Sequence, residues 1–216
     1  MFSGIIATVG TLAFSSNLQG GRRLVVDCEL SFLDGVVHGA SIAVNGACQT
    51  VEECTAGGFS FFSSMETLEC SNLSLLRPGD PCNLEKALTL SDPLDGHIVT
   101  GHVDGIGRVL RLEKQGGSRF IEVSLPEPIR PLVATKGSLA VNGISLTVNH
   151  AAVDRADLMV IPFTFEQTNL ASLRVGDLVN LEADILARYI ERRLSIGGKP
   201  SLEQLLKENE YCLDWR

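Results

Sequence analysis

The chain has 216 residues, of which 44% are hydrophobic, and a formal net charge of −8 at pH 7. This length allows one large domain with a sizeable core, or two domains of about 100 residues. The acidic charge and the absence of a run rich in lysine and arginine argue against nucleic acid as a partner. No apolar run approaches the ~18 residues of a membrane span, and the N-terminus lacks the basic region of a signal peptide, so we expect a soluble protein without a membrane partner.

One stretch of seven residues, NGACQTV at 45–51, returns as NGISLTV at 142–148. The offset is 145 − 48 = 97 residues, and it aligns the thiol of Cys48 with the hydroxyl of Ser145. A tandem duplication follows, because the same offset aligns many further positions. Among them are Gly4 with Gly101, Arg22 with Arg119, Asn72 with Asn169, and Glu85 with Glu182.

The pattern of each copy predicts short strands separated by glycine turns rather than helices. The β-branched and aromatic runs lie at residues 24–26, 41–44, 59–62, 120–123 and 157–161. Closely spaced turn signals between them favour a small antiparallel barrel or sandwich in each copy. We therefore predict two homologous β domains, 1–97 and 98–185, followed by a tail at 186–216. The matching Asn-Leu-Glu triplets at 83–85 and 180–182 are interpreted as determinants of the fold.

The tail begins with an amphipathic helix, because Leu186, Ile190 and Leu194 recur four residues apart. Gly197-Gly198 is expected to end this helix, and a capping-box pattern from Pro200 predicts a second short helix. Neither helix has a counterpart in the repeat. The apolar stripe packs either on the same chain or against other subunits, and we favour the second alternative because the helix follows two complete barrels.

The cysteines form no C-x-x-C pair and no cluster typical of zinc sites. Five of the six lie in the first copy: Cys28, Cys48, Cys54, Cys70 and Cys82, with Cys212 in the tail. A disulfide framework would not be so uneven across two homologous halves. We therefore expect reduced thiols and a cytoplasmic protein.

Cys48 and Ser145 both follow an Asn-Gly turn, which is expected to hold their side chains at the mouth of a barrel. Their plainer interpretation is two small turn residues, because nothing nearby resembles a nucleophile elbow or an activated Cys-His pair. By the strand period of two, the threonines two residues later share their face. Four hydroxyl side chains are thus candidates for a polar pocket: Ser41, Thr50, Ser138 and Thr147.

Two residues set the second copy apart from the first. His102 stands where the first copy has Ile5, and Asp184 stands where it has Ala87. A histidine gained in one copy indicates that the copies do different work, although a solvated or core histidine would explain it as well. Asp184 is also explained as the N-cap of the tail helix. His97 precedes His102, but two histidines without a third ligand predict no metal site.

Six motifs along the chain together carry a resemblance to a known family. They are Met1-Phe2-x-Gly4-Ile5, Ser41-Ile42-Ala43-x-Asn45-Gly46-x-Cys48-x-Thr50-Val51, Glu66-Thr67-Leu68, Gly96-His97-x-x-x-Gly101-His102-Val103-Asp104, Lys136-Gly137-Ser138 and Gly143-Ile144-Ser145-Leu146-Thr147-Val148. In this order, and with little shift over about residues 1–195, they resemble the riboflavin synthase family. The resemblance is specific, because the duplication and the cysteine–serine difference come with it.

This resemblance implies a mainly β fold of two tandem, homologous, six-stranded antiparallel Greek-key barrels with a C-terminal helix. It also implies a homotrimer held partly by that helix, and no metal or redox cofactor. The implied reaction is a dismutation, in which two molecules of 6,7-dimethyl-8-ribityllumazine exchange a four-carbon unit. The products are riboflavin and 5-amino-6-ribitylaminouracil. An association with lumazine synthase, the enzyme that makes the substrate, stays open.

Carried over residue by residue, the resemblance gives each copy one pocket for a lumazine molecule. In the first pocket the binding residues are Gly4, Ile5, Ile6, Ser41, Cys48, Gln49, Thr50, Phe62, Ser63, Ser64, Met65, Glu66 and Thr67. In the second pocket they are Gly101, His102, Val103, Lys136, Ser145, Leu146, Thr147, Ile161, Pro162, Phe163, Thr164, Phe165 and Glu166.

The same resemblance implies roles in catalysis for six residues: Phe2, Cys48, His102, Ser145, Thr147 and Asp184. The thiol and the serine hydroxyl would polarise a lumazine ring or add to it. The histidine, together with the threonine, would help to move a proton from the C7 methyl group. The phenylalanine and the aspartate would shape and charge the site, and the aspartate would also bind a ribityl hydroxyl.

Some positions depart from the family pattern. Gln49 stands where the family usually has an apolar residue, and Phe163 replaces a polar one, so both are expected to shift the affinity for lumazine. Residues 199–216 exceed the resemblance, and nothing explains Trp215.

Two other classes of protein share features of this sequence. The first is a lumazine- or flavin-carrying protein with the same duplicated fold and no turnover, but carriers tend to lose residues of the Cys48 and His102 type. The second is a flavin-dependent electron-transfer barrel, which needs a nicotinamide-binding domain. The chain has no G-x-G-x-x-G motif to support one.

Overall fold

The computed structural model describes residues 1–196, which form two closed antiparallel barrels of six strands each. Barrel 1 consists of β1 (Thr8–Leu18), β2 (Gly21–Asp27), β3 (Ser41–Val44), β4 (Ala47–Cys54), β5 (Gly58–Ser64) and β6 (Pro81–Lys86). Barrel 2 consists of β7 (Gly105–Gln115), β8 (Ser118–Ser124), β9 (Ser138–Val141), β10 (Ile144–Ala151), β11 (Arg155–Val160) and β12 (Leu178–Ala183). The strand orders β1-β2-β5-β4-β3-β6 and β7-β8-β11-β10-β9-β12 are the same Greek key. The predicted pair of barrels is confirmed.

The barrels repeat each other even in their irregularities. The ladder between β1 and β2 slips between Leu12 and Phe14, and the ladder between β7 and β8 slips between Val109 and Arg111. The β4–β5 and β10–β11 ladders also slip at equivalent places, after Val51 in one copy and after its counterpart in the other. Because a bulge bends a strand and fixes its register, both barrels have the same shape at these strands.

The two Asn-Gly turns lie back to back between the barrels. Asn45 and Gly46 have φ values of 47° and 78°, and Asn142 and Gly143 have values of 46° and 80°, as a two-residue hairpin turn with positive φ requires. A Cβ on Gly46 would lie 2.6 Å from the backbone nitrogen of Gly143, and the reverse substitution would give 2.7 Å. Only glycine allows this approach.

Six buried asparagines join the two barrels around these turns: Asn45, Asn72, Asn83, Asn142, Asn169 and Asn180. Asn83 Nδ2 donates to Asn142 O at 2.9 Å, and Asn180 Nδ2 donates to Asn45 O at 2.7 Å. The backbone N–H groups of the other two asparagines donate to side-chain oxygens of the opposite barrel. Because the buried amides are hydrogen-bonded across the interface, they hold the barrels in one relative orientation.

Each copy also contains short helices that the strand pattern did not predict. They are α1 (Met65–Cys70), α2 (Pro162–Glu166) and four 3-10 helices at Leu30–Leu33, Asn72–Ser74, Glu127–Leu132 and Asn169–Ser172. A helix of one or two turns is too short to show a 3.6-residue period, so the sequence pattern does not predict these helices. The N-cap of α1 is Ser64, whose Oγ accepts a hydrogen bond from Thr67 N.

The predicted tail helix is present as α3 (Ile185–Ile196). Asp184 Oδ1 accepts a hydrogen bond from Leu186 N at 3.0 Å, and Arg188 donates to the carboxylate of Asp104. Leu186, Ile190 and Leu194 are 60–65% exposed, so the barrels of the same chain do not bury this stripe. Within residues 1–196, no helix is long and apolar enough to cross a bilayer, and the cysteines there are free thiols.

Four predictions about the tail lie outside the described residues. They concern the end of the first helix at Gly197-Gly198, the second helix from Pro200, the extension at 199–216 and Trp215.

Candidate functional site

The segments that precede the two barrels, residues 1–7 and 96–104, pair with each other at equivalent positions. Phe2 and Val99 form an antiparallel bridge, with Phe2 N donating to Val99 O at 2.7 Å and Val99 N donating to Phe2 O at 3.0 Å. Both side chains are buried and pack with Ala43 and Ala140 between the barrels. Beyond this bridge, each segment passes over the barrel of the other copy.

Gly101 lies against Cys48 on the outer face of barrel 1. Cys48 N donates to Gly101 O at 2.9 Å, and a Cβ on Gly101, which has φ 84°, would lie 2.5 Å from Cys48 Cβ. A glycine is therefore required for this contact. Next to it is a pocket of about 240 Å³, which we call the first site. It is lined by Ala47, Cys48, Glu66, Thr67, Cys70, Gly101, His102 and Val103.

Gly4 makes the same contact with Ser145 on barrel 2. Ser145 N donates to Gly4 O at 2.8 Å, and a Cβ on Gly4 would lie 2.7 Å from Ser145 Cβ. Ser145 also packs against Gly96, where a Cβ would lie 2.8 Å from Ser145 Cβ. His97 Nδ1 is 2.7 Å from Ser145 Oγ. We call this surface, centred on Ser145, the second site.

Two buried glutamates hold the crossing segments in place. Glu85 accepts hydrogen bonds of 2.6 and 2.7 Å from the N–H and hydroxyl of Ser3, and one of 3.0 Å from Gly4 N. Glu182 accepts the equivalent three bonds, of 2.7, 2.7 and 3.0 Å, from the segment that contains Gly101. Burial raises the pKa of both carboxyl groups, and the hydrogen bonds partly offset that rise. Each glutamate thus fixes a glycine against the opposite barrel.

The expected placement of residues 4–6 in the first pocket and of residues 101–103 in the second is wrong. The 97-residue offset attaches each segment to the copy that follows it, whereas the Phe2–Val99 bridge brings it to the other barrel. Ile6 packs on the core of barrel 2, and Val103 packs on the core of barrel 1. Within one chain, His102 therefore lies beside Cys48 and not beside Thr147.

The predicted hydroxyl groups do lie on neighbouring strands. Ser41 pairs with Thr50 across β3 and β4, and Ser138 pairs with Thr147 across β9 and β10. The two threonines are exposed on the outer faces, as the strand period of two predicts from their spacing to Cys48 and Ser145. Each site thus continues along its strand into a polar surface.

Three predicted lining residues, Gln49, Ser63 and Leu146, have side chains inside the barrels, which corrects their expected orientation. Each is buried and occupies the strand face opposite to the sites, because side chains alternate along a strand. The Nε2 atom of Gln49 and the Oγ atom of Ser63 are buried without a hydrogen-bond partner among residues 1–196. Barrel 2 has apolar residues, Leu146 and Val160, at the equivalent positions.

Four other predicted binding residues have large apolar side chains that are about half exposed or more: Ile5, Met65, Ile161 and Phe163. Pro162, Phe163, Thr164, Phe165 and Glu166 form α2. Lys136 is exposed with a left-handed φ of 68°, and its N–H donates to Val148 O at 2.7 Å. Exposed apolar side chains beside polar strands suit a flat ring that has polar substituents.

His97 is the site residue that sequence reasoning missed. Its side chain is buried, and burial lowers its pKa, although the charge of Asp184 partly opposes this effect. Its Nε2 atom has no hydrogen-bond partner within residues 1–196. A signal was available, because the Gly-His dipeptide occurs at 96–97 and again at 101–102.

Comparison with known proteins gives consistent results. Residues 3–87 and 100–184 each match the model of the lumazine binding domain. The riboflavin synthase of Photobacterium phosphoreum is 37% identical over 219 residues, covering 99% of this chain and 100% of that protein. The riboflavin synthase of Mycobacterium tuberculosis is 39% identical, covering 92% and 100%, and that of Bacillus subtilis is 31% identical, covering 95% of each.

Solved structures of LumP share the fold. LumP complexed with riboflavin aligns with a TM-score of 0.80 at 21% identity, covering 85% of this chain and 99% of that chain. LumP complexed with 6,7-dimethyl-8-(1'-D-ribityl) lumazine aligns with a TM-score of 0.78 at the same identity and coverage.

Proposed function

The chain belongs to the riboflavin synthase family, and from this premise we propose that it catalyses the dismutation of 6,7-dimethyl-8-ribityllumazine. Two molecules of the lumazine exchange a four-carbon unit, and the products are riboflavin and 5-amino-6-ribitylaminouracil. The relatives support the coarser statement directly: this protein is an enzyme of riboflavin synthesis.

The observation that carries the proposal is the pair of equivalent but unlike sites. Each combines a strand of one barrel with the crossing segment of the other copy. A reaction between two identical molecules needs two similar sites and a difference that separates donor from acceptor. The similarity comes from the equivalent strands of the two barrels. The difference comes from Cys48 in place of Ser145 and from Glu66 in place of Phe163.

The substrate supplies much of the chemistry, because the lumazine is itself acidic at its C7 methyl group and electrophilic in its ring. Holding two such rings in contact can account for ~7–11 kcal/mol of the barrier. Cys48 and Ser145 then polarise or add to the rings, and Asp184 binds a ribityl hydroxyl. Phe2, whose side chain is buried where it bridges to Val99, shapes the site.

The proposed cooperation of His102 with Thr147 implies how the sites meet. His102 belongs to the first site and Thr147 to the strand of the second. For both to act on one pair of rings, a first site has to face a second site. We place these two sites on different subunits, so that the reacting rings lie across an interface.

The tail supports this arrangement. The exposed stripe of Leu186, Ile190 and Leu194 on α3 needs a partner, and a second copy of the chain supplies three further identical side chains. We propose a homotrimer in which residues 1–97 and 98–185 are the lumazine-binding domains and residues from 186 onward hold the subunits together.

A single incubation tests the reaction. Purified protein is mixed with 6,7-dimethyl-8-ribityllumazine, and the absorbance of riboflavin is followed. We expect one riboflavin for every two lumazines consumed. Binding of lumazine without formation of riboflavin would instead identify a carrier protein and would overturn the proposal.

A mixing experiment tests the intersubunit site. One variant has Cys48→Ala with Thr50→Val, and the other has Ser145→Ala with Thr147→Val, so each retains one intact site. Co-refolding the two should restore part of the activity, because some interfaces then join an intact first site to an intact second site. Mass spectrometry of differently tagged chains verifies that mixed oligomers have formed. If such oligomers are as inactive as their components, the site lies within one chain.

A further inference from the structure

Ser145 is held more tightly than its counterpart Cys48. Both Gly4 and Gly96 pack against it, and a Cβ on either glycine would come within 2.8 Å of Ser145 Cβ. The backbone N–H of Ser145 is engaged by Gly4 O. The Oγ atom therefore has a restricted position, and the polar atom that reaches it is His97 Nδ1, at 2.7 Å.

We propose that His97 is a positioning residue that accepts the hydroxyl proton of Ser145 in a hydrogen bond and thereby turns the lone pairs of Oγ toward the substrate ring. This inference rests on the proposed function and adds a residue to it.

The proposed direction of the hydrogen bond requires a neutral imidazole with its proton on Nε2 and an acceptor at Nδ1. Burial lowers the pKa of His97, so its ring is neutral at pH 7 and has one protonated nitrogen and one acceptor. Asp184, which caps α3, is the charged group that acts on the ring, and its charge opposes the effect of burial. A negative charge nearby stabilises positive charge on the ring as the Ser145 proton moves toward Nδ1.

The first site provides the contrast. His102 is exposed and lines an open pocket with Cys48, and no side-chain hydrogen bond joins the two within residues 1–196. The segment from His97 to His102 thus contributes one histidine to each barrel, but only the buried one is fixed on its partner. A serine hydroxyl is a weaker nucleophile than a thiol and gains more from such help.

A double-mutant cycle tests whether His97 acts through Ser145. We expect His97→Leu to lower kcat by about 10–100-fold with little change in KM. In a Ser145→Ala background the same substitution should change kcat by less than about twofold, because the hydroxyl that it serves is gone. His97→Asn, whose side-chain oxygen can still accept the hydrogen bond, should recover part of the loss. His150→Leu, a change at an exposed histidine of barrel 2, is the matched control and should leave kcat unchanged.

An effect of His97→Leu that is equally large without the Ser145 hydroxyl would overturn the proposal, and so would the absence of any effect. A second measurement does not depend on turnover or on the proposed reaction. In ¹⁵N NMR of the ligand-free, histidine-labelled protein at pH 7.5, we expect His97 to carry its proton on Nε2. A proton on Nδ1 would mean that the ring donates to Ser145 Oγ, which contradicts the proposed role.

Discussion

Barrel 1 and barrel 2 share their strand order, their bulges and their Asn-Gly turns, and they differ at particular side chains of the two sites. Cys48 corresponds to Ser145, and Glu66 corresponds to the exposed Phe163. The polar pair inside barrel 1, Gln49 and Ser63, is a further difference. Backbone geometry was kept where the two copies touch, and the chemistry changed on the outer faces. A duplicated scaffold can in this way bind the same molecule twice and treat it differently each time.

The parts that stay equal are those that join the copies. Asparagines from both barrels exchange hydrogen bonds, and each buried glutamate fixes a crossing segment with the same three bonds. A change in one of these groups would alter both sites, because each site is built from both copies. This shared dependence explains why the hydrogen bonds between the two copies are equivalent although the side chains at the two sites differ.

The largest expected effect on stability comes from the asparagines between the two barrels. Asn45→Ala and Asn142→Ala should each lower the free energy of unfolding by about 3–5 kcal/mol. Each substitution removes several buried hydrogen bonds and leaves the partner groups unpaired. If the interface is symmetric, the two losses agree within about 0.5 kcal/mol. Urea denaturation measures both.

Asn17→Ala is the control for these changes, because Asn17 is exposed on β1. We expect its effect to stay within about 0.5 kcal/mol. A large difference between Asn45→Ala and Asn142→Ala would show that the barrels do not share the interface equally.

The second prediction concerns two side chains of the first site, Cys48 and His102. Cys48→Ala and His102→Gln should each lower kcat by about 10²-fold or less, because the proximity of the two rings survives the loss of one polar group. Steady-state kinetics with the lumazine measures the change, and fluorescence titration with riboflavin checks that binding persists. Complete loss of turnover with unchanged binding would mean that covalent or proton-transfer chemistry contributes more than proximity does.

The third prediction concerns the buried polar pair inside barrel 1, Gln49 and Ser63. Val51 pairs with Phe61, and an extension of this register places Gln49 across from Ser63. Both have an unpartnered buried polar atom. Gln49→Leu combined with Ser63→Val copies the apolar pair of barrel 2 and should raise the free energy of unfolding by about 1–3 kcal/mol.

The reverse change, Leu146→Gln in barrel 2, is the matched control, and it should be destabilising by a similar amount because it buries an unpaired amide. If the double substitution in barrel 1 is instead destabilising, the polar pair has a partner, such as a buried water, that stabilises it.

The sequence predicted the barrels well because their signals are local and repeated. Alternating strands, Asn-Gly turns and a 97-residue offset can all be read along the chain. The period of two also predicts the inward orientation of Gln49, because this residue lies between the outward-facing Cys48 and Thr50. The exchange of the crossing segments could not be read in this way. It depends on the bridge between Phe2 and Val99, a tertiary contact without a sequence pattern.

Lys136 gives the smallest expected effect. Its counterpart in barrel 1 is Gly39, and both have a left-handed φ, of 68° and 85°. An L-residue pays about 1 kcal/mol for this conformation and glycine does not. Lys136→Gly should therefore stabilise the protein by about 1 kcal/mol in urea denaturation. The strain is explained if the ammonium group binds the ligand, in which case the same variant binds the lumazine more weakly by titration. Gly39→Lys tests the reverse in barrel 1 and should destabilise the protein by a similar amount without improving lumazine affinity. An unchanged affinity in Lys136→Gly would leave the strained lysine without a role at the second site and would remove it from the binding residues.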